Sequence, residues 1–391
     1  MNSDNVNDPI GAARSLVPFL SEMAPETEAA RHLPDSVYRK IDEAGLFHLM
    51  TPPALGGSGP DLSTHIETAT VLAEGCGSAA WVMCLVGYQN YLLGWYPPEV
   101  QQQIRDSGAR IFTGLVMGPP VTAEIVEGGC RISGRWPYVS GAHYAGWFLL
   151  SARDPNQKGR VITCLVSASD ARIEDDWFAM GLKGTGSVTV TLDDCFVPED
   201  RILCFREAEK GGVPGAALCD SPLYRGIPTS TLFALVVAAP ALGLAQAAID
   251  AYSDRLRTRT NARMPSSQTE WPSSQARLGR AQARLAHTRR VFLESARRYE
   301  RMAADGAEFT LEARSEFRMD AVEAVRTCTE IVYDLFCDAG TGATLDGSVL
   351  QRVFCDIHTL RSHFMIMPDA ASENAGRIRL GLAPKPPFQA G

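Results

Sequence analysis

The segment QRVFCDIHTLRSHFMIMPD carries two histidines, His358 and His363. On a helix, positions i and i+5 lie roughly 140° apart, so the pair does not share a face as i, i+4 metal ligands would. What remains to each imidazole is hydrogen bonding or proton carriage near neutral pH, or plain helix packing. No carboxylate lies between Asp356 and Asp369. A second concentration is RLRTRTNARM, Arg255 to Met264, with four arginines in ten residues. The planar guanidinium fork suits a phosphate, and a solvated basic helix face is the alternative. Ser140, Thr185 and Ser187 stand beside glycines, where a hydroxyl serves either a turn or a ligand. No GxGxxG follows a strand and opens a helix, so no dinucleotide-reducing unit is visible.

These residues sit in a chain of 391 residues, 45% hydrophobic and 21% charged, enough apolar mass for a large core. The net charge of −8 argues against nucleic acid or an anionic membrane as partner. Ten cysteines form no CxxC pair and read as buried thiols of a reducing cytoplasm. The polar start MNSDNVNDPIG lacks a basic n-region followed by an apolar stretch, so the chain reads as cytoplasmic. Leu232 to Leu244, interrupted by Pro240 and Gly243, is too short and broken for a bilayer and reads as a core helix.

Three regimes follow along the chain. Residues 1–108 read as a helical domain, with helices over SVYRKIDEAGLF, from Ser63 to about Cys76, and a third capped by Ser78 that ends near Pro97. Residues 109–226 read as an antiparallel β-domain with a long Gly- and Pro-rich loop from Phe205 to Pro228. Residues 227–391 return to helices over 229–260, 273–303, 310–338 and 348–366, the makings of a four-helix bundle. The fold class is α+β, helices flanking a middle sheet domain.

That order resembles the acyl-CoA dehydrogenase superfamily across nearly the whole chain. The resemblance rests on KIDEAGLFHLMTPPALGGSGPDL, GGCRISGRWPYVSGAHYAGWFLLSA and MGLKGTGSVTVTLDDCFVPEDRIL taken together. Within the superfamily the chain is similar to the two-component flavin-dependent monooxygenases of the p-hydroxyphenylacetate hydroxylase oxygenase type. The residues are the run from Ser133 to Gly141 (SGxWxxxSG), the SAAW from Ser78 to Trp81, and the ending quoted above. The resemblance implies an enzyme using reduced FMN or FAD and O2, through a flavin C4a-hydroperoxide, to hydroxylate an aromatic or polycyclic small molecule. A separate NAD(P)H:flavin reductase would supply the flavin, and the chain would form a homotetramer.

It also implies roles. His363 falls where dehydrogenases of the family keep a catalytic Glu, and would act at the flavin's reactive carbon together with Ser140. Thr113, Trp136 and Ser140 would contact the flavin ring, and Arg257, Arg259 and Arg263 would supply its phosphate ligand. Tyr88, Gln89, Trp95 and His143 are the substrate-pocket candidates, with Gln89 standing where phenol-hydroxylating relatives carry a His. Asp356 would orient a chain end or a His. Two other activities fit the scaffold: N-oxygenation of an amine or amino sugar, and acyl-CoA dehydrogenation with a displaced base. A non-catalytic flavin-binding protein is a third possibility.

Overall fold

Side-chain caps and Pro/Gly punctuation define the N-terminal helices. The computed structural model describes residues 8–109, 112–116, 121–225, 227–258 and 268–385. Helix α1 (Pro9–Ala30) opens on Asp8, whose carboxylate accepts from Gly11 N at 2.8 Å. Helices α2 (Asp35–Glu43), α3 (Leu62–Gly75), α4 (Gly77–Leu93) and α5 (Pro98–Asp106) follow. Asp61 caps α3 in the same way. The N-cap of α4 is Cys76 rather than Ser78, which lies inside the helix. That helix is buried on every side, so its apolar run shows no amphipathic stripe.

The middle part is two four-stranded sheets rather than one. Strands β1 (Phe112–Val116), β4 (Trp147–Arg153), β5 (Val161–Ser167) and β8 (Ile202–Leu203) form the first, in the order β1-β4-β5-β8. Strands β2 (Glu124–Val126), β3 (Gly129–Val139), β7 (Val188–Pro198) and β6 (Arg172–Ile173) form the second, in the order β2-β3-β7-β6. Their facing sides bury Trp136, Phe148, Leu150, Val166 and Val190 in one core. The pairing is antiparallel except between β1 and β4, which run parallel. The expected loop from Phe205 to Pro228 holds helix α6 (Phe205–Gly211) and two short 3-10 turns.

Helix α7 (Thr229–Thr258) is the hub, flanked by α8 (Pro272–Ala304), α9 (Leu311–Asp338) and α10 (Val349–Leu360), with α11 (Pro368–Arg379) packed on α9. It is long and apolar enough to cross a membrane by composition, yet 89% of its most apolar window is buried by neighbouring elements. As the sequence suggests, one core helix spans this stretch, and α7 runs unbroken through Pro240. Proline removes one helical N–H, and the carbonyl so freed, that of Val236, faces the Cys84 thiol of α4 at 3.4 Å. Gly243 permits the close crossing with α3: a Cβ there would lie 2.0 Å from the Thr70 carbonyl oxygen.

Candidate functional site

Helix α4, the β-domain and α7 converge on a cavity of about 490 Å³, within the usual range for a small-molecule site. Trp81, Leu85 and Gln89 line it from α4, at i, i+4 and i+8 on one helix face. Phe233 lines it from α7, Ser140 from the turn after β3, Thr185 and Ser187 from the turn before β7, and His363 from beyond α10.

Ser140 is held from several directions. Its Oγ accepts from Trp81 Nε1 at 3.1 Å and lies 2.7 Å from Ser187 Oγ. Ser187 Oγ lies 2.6 Å from Thr185 Oγ1, which donates to the Leu182 carbonyl at 2.9 Å. Thr113 is fully buried and donates its hydroxyl to the Ser140 carbonyl, so it holds the Ser140 turn from behind and does not line the cavity.

His363 is not on the C-terminal helix, as its sequence spacing suggested. Helix α10 stops at Leu360, and His363 has extended backbone at the start of a 3-10 turn, Phe364–Ile366. Its Nδ1 accepts from Met365 N at 3.3 Å. A neutral ring accepting at Nδ1 carries its hydrogen on Nε2, so His363 is a hydrogen-bond donor. Burial, reinforced by the Arg318 charge, lowers its pKa to about 4, and the ring is neutral at physiological pH. Trp81 and Phe233 meet this ring edge-on at 5.6 and 5.7 Å.

Gln89 complements it. The Gln89 Nε2 donates to the Gly114 carbonyl at 3.0 Å, which fixes the amide's orientation. Its Oε1 is buried without a partner, on a residue that lines the cavity. An orphaned buried acceptor costs about 1–3 kcal/mol, which a ligand that donates to it recovers.

A second cavity of about 280 Å³ adjoins the first, sharing Phe233 and Phe364. Tyr88 lines it, donating to the Thr229 carbonyl at 3.4 Å; burial raises its pKa strongly, so the phenol keeps its proton. Glu209 lines it too. Its carboxylate accepts from Thr229 N at 2.8 Å, and burial raises its pKa.

Other sequence candidates lie elsewhere. Trp136 is in the β-domain core, donating to the Ser151 carbonyl at 2.8 Å. The register shift between Trp136 and Val139, with Tyr138 at φ 66°, turns Tyr138 outward to the cavity mouth instead. Trp95 is fully buried, edge-on to Phe205 and Tyr91, beyond both cavities. His143 is exposed and stacks on His32 at 4.6 Å, away from the cavities. Arg257 is exposed and paired with Asp254 at 2.8 Å; Arg259 and Arg263 lie outside the described residues. His358 donates from Nδ1 to the Phe354 carbonyl at 2.7 Å, and its ring lies tilted against the Phe354 ring at 4.1 Å.

The sequence reading overlooked Phe233, Glu209 and Arg318 and left Thr185 and Ser187 open between turn and ligand. Arg318 is buried, its pKa drawn down to about 10 by burial, and it donates toward the Phe364 carbonyl at 3.4 Å, bracing the turn that carries His363. Asp356 is a second brace: its carboxylate accepts from Leu182 N at 2.6 Å, where Leu182 has φ 50°. Burial raises the Asp356 pKa to about 7.

Known proteins share this architecture. The acyl-CoA dehydrogenase N-terminal domain family matches residues 12–104, and the C-terminal domain family matches residues 235–368. The oxygenase subunit HsaA of a flavin-dependent monooxygenase from Rhodococcus jostii is 30% identical over 94% of this chain and 97% of its own. The oxygenase component of an FADH2-dependent resorcinol hydroxylase from Rhizobium is 30% identical over 96% of this chain and 95% of its own. Among solved structures, XiaF from Streptomyces in complex with FADH2 and glycerol superposes with a TM-score of 0.88 at 28% identity, covering 97% of this chain and 96% of XiaF.

Proposed function

The chain belongs to the acyl-CoA dehydrogenase superfamily, among the oxygenase components of flavin-dependent monooxygenases, and from that premise we propose how its two cavities divide the reaction. The larger one takes the reduced isoalloxazine and presents Gln89 to the substrate's hydroxyl; the smaller one, joined to it at Phe233 and Phe364, takes the rest of the aromatic substrate. Reduced flavin, when bound, would supply the two electrons that activate O2, one atom of which goes to the substrate and the other to water. The observation that carries the reading is the polarity of the larger cavity: a neutral histidine donor, His363, and a free acceptor, Gln89 Oε1, stand on aromatic walls.

Each residue then has a task. His363 donates from Nε2 to oxygen and, being neutral, does so without drawing bulk water to a cationic centre. Trp81, Leu85 and Phe233 exclude water. Gln89 accepts a hydrogen from the substrate's hydroxyl and orients the ring without deprotonating it. An N–H would serve Gln89 as well as an O–H, so oxidation of an N–H-bearing heteroaromatic is the second reading.

The partner reductase is taken to be NAD(P)H-dependent, since this sequence shows no dinucleotide-binding fingerprint. Assembly into a homotetramer is proposed from the resemblance to the superfamily, whose C-terminal bundles pack together. The free thiols, with Cys130 and Cys164 unbonded at 3.8 Å, support a reducing cytoplasm. Arg257, Arg259 and Arg263 remain the proposed phosphate contacts.

The test is a panel of phenols, indoles and simple amines, incubated with protein, chemically reduced FMN or FAD, and isotopically labelled O2. We expect one labelled oxygen in a phenol or indole product. Label in none, with all O2 recovered as hydrogen peroxide, would overturn the proposal.

A further inference from the structure

The protons around Ser140 can be counted. Trp81 can only donate, and its N–H goes to Ser140 Oγ at 3.1 Å. Thr185 donates to the Leu182 carbonyl, so it accepts from Ser187. With its proton spent there, Ser187 accepts from Ser140. In this arrangement every proton is used inside the protein, and Ser140 shows the cavity a lone pair. The reverse arrangement aims the Ser140 proton into the cavity. It gives up the Thr185 bond to Leu182 and leaves the Ser140 proton unbonded until a ligand accepts it.

We propose that the Thr185–Ser187–Ser140 chain holds Ser140 as a hydrogen-bond acceptor and so biases the site toward reduced over oxidised flavin. Thr185 and Ser187 are positioning residues: they act through the direction of the Ser140 hydroxyl. The inference rests on the proposed reading that the cavity holds the isoalloxazine, here with its redox-active edge against Ser140. The reduced ring carries N5–H on that edge and satisfies the Ser140 lone pair. The oxidised ring offers only a lone pair there, and binds by reversing the chain. Reversal forfeits one internal hydrogen bond, worth about tenfold in affinity. The bias suits an oxygenase that must receive reduced flavin and release oxidised flavin.

The experiment measures dissociation constants of oxidised FMN, and of photoreduced FMN under argon, for the wild type and for Ser187→Ala, Thr185→Val and Ser187→Thr. Ser187→Ala removes the internal acceptor for the Ser140 proton. Thr185→Val leaves the Ser187 proton nowhere to go but Ser140. Both should turn Ser140 into a donor and lower the oxidised-to-reduced ratio of dissociation constants about tenfold, while Ser187→Thr restores it. A simple loss of packing would weaken both redox forms alike and leave the ratio unmoved. An unmoved ratio in both variants, in a protein that still binds reduced FMN, overturns the relay and spares the flavin site. A wild type that binds neither form overturns both.

Discussion

Replacing Gln89 by leucine should separate a ligand-binding amide from a structural one. The substitution removes the bond from Nε2 to the Gly114 carbonyl, about 1 kcal/mol, and also removes the buried, unpartnered Oε1, a cost of about 1–3 kcal/mol to the wild type. The two terms oppose, so unfolding in urea should place the variant between wild-type stability and about 2 kcal/mol above it. Binding should respond differently. With reduced FMN present under argon, resorcinol can donate to Gln89, whereas 1,3-dimethoxybenzene has no hydrogen to give. Wild type should prefer resorcinol, and the variant should lose about 10- to 100-fold of that preference. A variant destabilised by more than about 3 kcal/mol that keeps the full preference would show Gln89 to be a strut, and the reasoning would fail.

Three further outcomes follow from two buried titratable groups, His363 and Asp356. His363 should resist protonation until pH falls to about 4, with its hydrogen on Nε2 throughout; nitrogen-15 NMR showing a pKa near the ordinary histidine value would contradict this. His363→Ala should lower the fraction of O2 that ends in product rather than hydrogen peroxide by about 100-fold or more, consistent with loss of a positioned acid–base group. Asp356 carries the opposite linkage. Its folded pKa of about 7 lies above the unfolded value, so its neutral form favours folding at low pH and that advantage is lost as pH rises toward 7. Relative to Asp356→Asn, wild type should therefore lose stability between pH 4 and 7 in paired urea titrations; a constant difference would refute it.

Much of this site was legible in sequence because it lies in local segments. Gln89 and Ser140 were found from the runs that carry them, and both line the cavity. What escaped depends on backbone irregularity or on distance along the chain. Alternation accounts for buried Trp136, but gives no warning that a register shift after it would send Tyr138 to the mouth. His363 was placed on a helix because nothing in its spacing marks the stop at Leu360; the turn is held from outside, by Arg318 on α9. The hydroxyl chain joins residues on two separate turns, so no single motif contains it. Trp95 read as a pocket residue by its aromaticity, and packing claimed it instead.

The central claim is that this cavity receives reduced flavin and governs its reaction with oxygen. Its most direct measurement is stopped-flow absorbance on protein loaded anaerobically with reduced FMN or FAD and mixed with oxygenated buffer, without substrate. The account predicts a marked lag before the oxidised-flavin band appears, shortened in both His363→Ala and Ser140→Ala. Oxidation as rapid as that of free reduced flavin, with no lag in the wild type, would contradict it.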